Sequence, residues 1–396
     1  MPIQRRKLLL LSSRAPVPPN AGERLKNLNL LRILSRHFDV HLLTMNERAL
    51  TSGERAELAA MTKSLQIFVK PSWRSALQCL RSLWNGLPLQ INYFYFSDVQ
   101  GAVDKLVPEC DVLVCTLVRT AQYVRHAEKP KFMDMADSIA SNYREALAKT
   151  SSWWWRLIYG FEVRRLEKYE HSVVGAFNAT FLFNQDEVKT LSEQSPQAKV
   201  VWVPHGVNEK LLTYAHTEPG HTNEICFLGK MDYRPNIEAC IWFIRQVLPL
   251  LPATLKFVIL GAKPAREVLQ LAQGSPQVEV TGFVDDPYLR MKSSLCVVAP
   301  MVTGAGIQNK VLEAMALGQI VVATRRCVTP LIGVREGEEI LVEDDPKKMA
   351  SLILSLQQLP DTERERLGYQ ARQYVASHFT WAAFERVWMD TLTFGK

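Results

Sequence analysis

The thirty residues from Leu295 to Thr324 restrict this chain more than any other stretch. Leu295 to Pro300 is a short apolar run of strand type, Thr303 to Gly318 joins a glycine-bearing loop to a helical segment, and Ile320 to Thr324 is apolar again. Strand, loop, helix and strand make a βαβ unit, and a crossover of that length requires a parallel sheet. Gly304 and Gly306 remove side chains where the backbone turns, so its N–H groups can approach an anion at the helix start. Val311, Leu312 and Met315 fall at helical spacing and form a buried stripe, with Lys310 and Glu313 about a turn apart near the helix mouth. A cation and a carboxylate beside a glycine turn suit a phosphorylated sugar ligand, Lys310 meeting phosphate and Glu313 the vicinal hydroxyls of a ribose. A plain turn flanked by a solvated ion pair fits the same residues.

The pattern repeats along the chain. In the first half, strand-type runs at 8–12, 40–43, 112–116, 131–134, 179–183 and 200–203 alternate with helical segments, among them 23–35, 53–64 and 72–85. After a polar, Pro- and Gly-bearing stretch at 209–223, strands are expected at 224–228, 256–260 and 278–281 before the stretch described above. A chain of 396 residues exceeds one ordinary core. The expected architecture is α/β, with two doubly wound parallel-sheet, Rossmann-like domains facing a cleft. Residues 1–204 form the first, 205–379 the second, and 380–396 a last helix crossing back, with Trp381, Phe384, Val387, Trp388 and Leu392 at helical spacing.

Charge divides the chain. Residues 1–200 hold 27 Lys+Arg against 19 Asp+Glu, whereas the remainder holds 20 against 21. The basic half suits anionic lipid or a phosphorylated acceptor; nucleic acid is disfavoured because the charge is dispersed and not gathered into one stripe. The seven cysteines show no Cys-x-x-Cys pair and no clustering with histidine, so no metal is expected, and buried free thiols in a cytoplasmic protein account for them. No apolar run is long enough to span a bilayer.

In the first half, loops at the carboxyl ends of strands supply ligand-side candidates: Gly22 after the first strand, Arg119 for a phosphate and Asp137 for a hydroxyl. Each also fits a turn, a helix cap or a surface charge. Trp153, Trp154, Trp155 and Arg156 open a long amphipathic helix whose aromatic end suits a membrane face, or else packs under a flap or against the first sheet. His205, at the expected hinge, fits a backbone hydrogen bond better than catalysis.

Gly229-Lys-Met-Asp-Tyr-Arg-Pro-Asn236, Gly282-Phe-Val284 and Asn309-Lys-Val-Leu-Glu-Ala-Met-Ala-Leu-Gly318, with the Pro18-to-Gly22 loop, resemble the glycosyltransferases of the GT-B fold. The likeness is to the family 4 group, and within it to a subgroup tied to bacterial exopolysaccharide clusters. It implies a nucleotide-diphosphate sugar in the second domain and a glycan acceptor, lipid-linked at the inner face of the cytoplasmic membrane, in the first. Transfer would retain the anomeric configuration and need no cofactor or metal. By motif position Glu313 would bind ribose and Lys230 with Arg234 would neutralise the diphosphate. Phe283 and Val284 would hold the base by backbone, beside Gly229 and Gly282. Thr303, Gly304, Gly306, Ile307 and Gln308 would bracket phosphates and sugar, with Asn309 and Lys310 behind them. One departure stands out: the glutamate that family members often carry eight positions before the ribose-binding one is Ala305 here. Two other classes fit the same motifs: a GT-B sugar-nucleotide epimerase, with Asp137 and His205 as its only acid/base candidates, and a non-catalytic sugar-nucleotide-binding partner of an export machine.

Overall fold

The computed structural model describes residues 5–19, 22–150, 152–304 and 306–393. Thirteen strands lie in two all-parallel sheets among these residues. The first sheet contains β1 (Lys7–Ser12), β2 (Asp39–Asn46), β3 (Ser64–Val69), β4 (Val112–Thr116), β5 (Lys131–Ala136), β6 (Ala179–Leu182) and β7 (Val200–Trp202). Its order is β3-β2-β1-β4-β5-β6-β7. The second contains β8 (Glu224–Leu228), β9 (Lys256–Leu260), β10 (Val278–Gly282), β11 (Cys296–Ala299), β12 (Val321–Ala323) and β13 (Leu341–Val342), in the order β10-β9-β8-β11-β12-β13. Both sheets therefore run outward from their first strand and reverse direction beside it, the doubly wound topology.

The strands are apolar on both faces, as parallel strands covered by helices must be. Leu8 to Leu11 of β1, Val112 to Cys115 of β4 and Cys296 to Ala299 of β11 are all buried. Six of the seven free cysteines are buried, three of them (Cys115, Cys226 and Cys296) in strands, and Cys79 is half-buried.

Chain contacts separate two compact units. One runs to Val203 and includes the residues from Glu385 onward; the other is Pro204–Phe384. The last helix, Trp381–Thr393, contributes Trp388 to the first unit, where its ring stacks on Phe181 at 3.9 Å.

Two elements differ from the expectation. The helix expected over 53–64 ends as Ser52–Ala59, and Ser64–Val69 joins the sheet as β3, in register from His41↔Ser64 to Asn46↔Val69. β3 is only half-buried, so it lacks the continuous apolar run that marks the interior strands. The helix expected over 72–85 is broken into Ser72–Gln78, a tight turn at Cys79–Arg81 and Ser82–Asn85, and stops where Gly86 takes φ +68°.

Candidate active site

In a doubly wound sheet ligands bind beyond the carboxyl ends of the strands where the order reverses. In the second unit that point lies between β8 and β11, so the loops after Leu228 and Ala299 line it. The first of these loops is built around contacts too close for side chains. A Cβ on Gly261 would lie 1.8 Å from the Gly229 carbonyl oxygen, and one on Gly229 would lie 2.6 Å from the Asn236 amide. Gly229 and Gly261 are thus required by packing as much as by any ligand.

Asn236, in the first turn of the helix Arg234–Trp242, ties the two loops together. Its Nδ2 donates to the Lys230 carbonyl at 2.9 Å, and its Oδ1 accepts from Lys310 Nζ at 2.5 Å. Lys310 opens the helix Asn309–Ala316 and is only 8% exposed, with its ammonium 4.7 Å from the centre of the Phe227 ring. Burial pushes its pKa down to about 8. One turn on, burial pushes Glu313 up to about 7, partly offset by Lys310. A glutamate that titrates near neutral pH beside a lysine that still carries most of its charge there is poised to respond to a bound anion and a bound diol.

Gly304 and Gly306 take φ +93° and +79° ahead of this helix, the left-handed turn that glycine tolerates. The Thr303 hydroxyl donates to Glu238, and Arg326 donates to the Gly304 carbonyl at 3.2 Å. Ala305, the position of the departure noted above, lies outside the described residues. Gln308, Ile307 and Asn309 complete the loop and the helix start. Gly282, at φ +72°, ends β10, and Phe283 beyond it is 75% exposed, with Val284 following.

Lys230 and Arg234 are engaged by carboxylates. Lys230 Nζ lies 3.4 Å from Asp232, and Arg234 donates to Glu238 at 2.8 Å and to Glu267 at 3.2 Å. Their backbone segment is at the reversal point, but Arg234 reaches an incoming diphosphate only by leaving these partners. Asn236 escaped the sequence reading because an asparagine after Arg-Pro at a helix start reads as a turn residue. Its double role depends on Lys310, seventy-four positions away.

The first unit has its own reversal point, between β1 and β4. There Lys26 of the helix Gly22–His37 pairs with Asp134 of β5, both almost wholly buried. Gly22 starts that helix, and residues 20 and 21 are outside the described residues. Arg119 lies 4.9 Å over the Phe94 ring, and its Nε has no hydrogen-bond partner among the described residues. Asp137 Oδ1 is likewise unpaired, and burial raises its pKa. Glu187, which accepts from the Ser138 N–H at 3.0 Å, is pushed up to about 8, by burial first and by Asp137 second. Arg119 and Asp137 follow Leu117 and Ala136, two non-glycine residues held at φ +61° and +64°. Strain of this kind collects where a site over-determines the backbone. His205 packs its ring 5.5 Å from Trp381 within the second unit. No grouping of three or more His, Cys, Asp or Glu suited to a metal occurs among the described residues.

Residues 222–358 match the family model described as glycosyl transferases group 1. A Klebsiella pneumoniae protein described as an uncharacterized 44.6 kDa protein in cps region is 20% identical over 367 residues, covering 88% of this chain and 90% of that one. Among solved structures, HepE of Anabaena in complex with UDP aligns at TM-score 0.67 and 14% identity, over 98% of this chain and 99% of its own. Sucrose-phosphate synthase from Thermosynechococcus elongatus aligns at TM-score 0.69 and 15% identity, over 98% of both chains. The fold of the whole chain is the fold of these proteins.

Proposed function

We propose that this chain, with its GT-B fold and the group 1 match at residues 222–358, is a retaining glycosyltransferase that moves a sugar from a nucleoside-diphosphate donor to a lipid-linked glycan in surface-polysaccharide synthesis. The observation that carries this reading is Asn236, which locks the Gly229–Lys230 backbone to Lys310 at the reversal point of the second sheet. A site held so tightly around a cation and a run of glycines is preorganised for an anion, here the departing diphosphate. HepE was solved with UDP, and the relative in the cps region fits a role in a capsule-type polysaccharide.

In this reading Glu313, ionised above pH 7, accepts the ribose hydroxyls, while the backbone after Gly282 holds the base. Lys230, Arg234 and the N–H groups from Gly304 to Asn309 stabilise the negative charge that grows on the leaving diphosphate. Arg234 exchanges Glu238 and Glu267 for phosphate as the donor arrives. Charge stabilisation of this type contributes on the order of 3–4 kcal/mol per donor group. No side-chain nucleophile is needed, because the acceptor hydroxyl attacks on the face from which the diphosphate leaves.

The test is thermal unfolding of the purified protein with UDP, GDP, ADP and dTDP and their common sugars. A ligand that binds the folded state raises the midpoint by mass action. A shift with one base, lost in Glu313→Ala, supports the reading, and release of that diphosphate on adding a lipid-pyrophosphate glycan completes it. No shift with any nucleotide sinks it.

A further inference from the structure

The helical run Ser72–Asn85 is inside out. Ser75 and Ser82, seven positions apart, are its buried residues, while Trp73, Leu77, Leu80 and Trp84, at spacings of four, three and four, are exposed. Leu83 stands beside them, also exposed. An amphipathic helix in water does the opposite. The first turns of the helix Trp153–Val174 share the anomaly: Trp153, Trp154, Trp155, Leu157, Ile158 and Phe161 are all exposed, over roughly half the helix circumference. The tryptophans therefore neither pack under a flap nor against the first sheet.

The two segments are neighbours within the first unit. Arg165 donates to the Ser82 carbonyl at 3.1 Å, with its guanidinium 4.2 Å over the Phe161 ring, and the Leu89 N–H donates to Glu162 at 2.7 Å. Tyr159 links Trp155 by stacking to Tyr143. Twelve of the seventeen large apolar side chains exposed among the described residues lie between Val69 and Phe161. A patch of that extent on a folded protein marks an interaction surface.

Its charge selects the partner. No Asp or Glu occurs from Lys70 to Ser97 or from Ala146 to Phe161, whereas Arg74 and Arg81 lie among the exposed apolar residues of the first segment and Arg156 among those of the second. Arg74 sits 5.2 Å from the Trp73 ring. Aromatic rings and leucines beside arginines, without carboxylates, match the boundary of an anionic bilayer, where the rings enter the headgroup layer and the cations meet lipid phosphates. A protein partner would ordinarily be met by a more polar, mixed-charge rim.

We infer that Trp73, Leu77, Leu80, Leu83 and Trp84, with the helix end from Trp153 to Phe161, dock the first unit onto an anionic membrane surface. No helix of the described residues is long and apolar enough to cross a membrane, so the contact is interfacial. The surface belongs to the first unit and the nucleotide site to the second, and its test uses neither donor nor acceptor, so either conclusion can fail alone.

The experiment is co-sedimentation of the full chain with phosphatidylglycerol–phosphatidylcholine vesicles and with pure phosphatidylcholine vesicles, alongside sedimentation velocity of the protein alone. The expected result is binding to the anionic vesicles, weakened about tenfold or more by Trp84→Asp with Trp154→Asp. Arg74→Gln with Arg81→Gln should weaken the preference for anionic lipid, by about fivefold per cation. An unchanged unfolding midpoint checks that these exposed substitutions leave the fold intact. Absence of binding, equal binding to both vesicle types, or a dimer of the free protein dissolved by the same tryptophan substitutions overturns the proposal.

Discussion

The two sheets reverse direction at equivalent strands, yet the two reversal points are built from opposite materials. In the second unit the turns are mostly glycines: Gly282, Gly304 and Gly306 occupy the left-handed region, with Lys263 at φ +55° the exception, and Gly229 meets Gly261 where no Cβ fits. In the first unit the corresponding left-handed positions are Leu117 and Ala136, and side chains fill the space. Lys26 is spent on Asp134, while Ser13, Glu23, Asn27, Asp134 and Asp137 each keep an oxygen without a partner among the described residues. One reversal point presents backbone at glycine turns; the other presents a mixture of buried titratable side chains. The same topology thus accommodates turns built on glycine and turns built on larger residues.

The largest test of this contrast compares two buried lysines. Lys26→Met strands the Asp134 carboxylate in the core and should cost about 3–5 kcal/mol, most of it recovered in the double variant with Asp134→Leu. Lys310→Met removes a charge that burial already disfavours and leaves the neutral Asn236 amide and a Glu313 carboxyl that can stay protonated, so it should cost less than about 2 kcal/mol. Urea unfolding measures both, and equal losses would erase the distinction.

Glu313→Gln sharpens the comparison through pH. The Glu313 carboxyl keeps its proton up to about 7 when folded, against 4.5 as its ordinary value. Its stabilising share is therefore complete below 4.5 and lost as pH rises through 7. Glutamine does not titrate, so the variant should gain about 1–3 kcal/mol on the wild type between pH 4.5 and 8, at roughly 1.4 kcal/mol per pH unit. Denaturant midpoints at both pH values check this, and a pH-independent difference breaks it.

The smallest effects concern the turns and should have opposite signs. Gly304→Ala places a side chain at φ +93°, with its Cβ 3.3 Å from Pro235, and should destabilise by about 1 kcal/mol. Ala136→Gly relieves a strained position and should be neutral or stabilising by up to about 1 kcal/mol. Thermal unfolding of the pair decides whether the first unit's strain is real.

Much of this was legible in the chain itself. Apolar runs such as Leu8–Leu11 and Cys296–Ala299, separated by helical periodicity, leave few alternatives to two parallel sheets, because both faces of each strand must be covered. The glycine turn before Asn309 and the Lys310–Glu313 spacing are local, so sequence alone placed them at a strand-to-helix junction. β3 escaped because an edge strand, half-exposed, has no pattern until β2 pairs with it.

What only tertiary structure decided are relations between distant residues. Asn236 becomes a latch when Lys310 folds against it, Arg234 is claimed by Glu238 and Glu267, and Lys26 meets Asp134 across 108 positions. The periodicity of Ser72–Asn85 fixed which residues share a face, but not which face turns outward. That was settled by Arg165 and Glu162 binding the backbone at Ser82 and Leu89, which leaves the tryptophans and leucines exposed. Secondary structure follows from neighbours a few residues apart, whereas burial, pairing and charge state depend on who arrives from elsewhere in the chain.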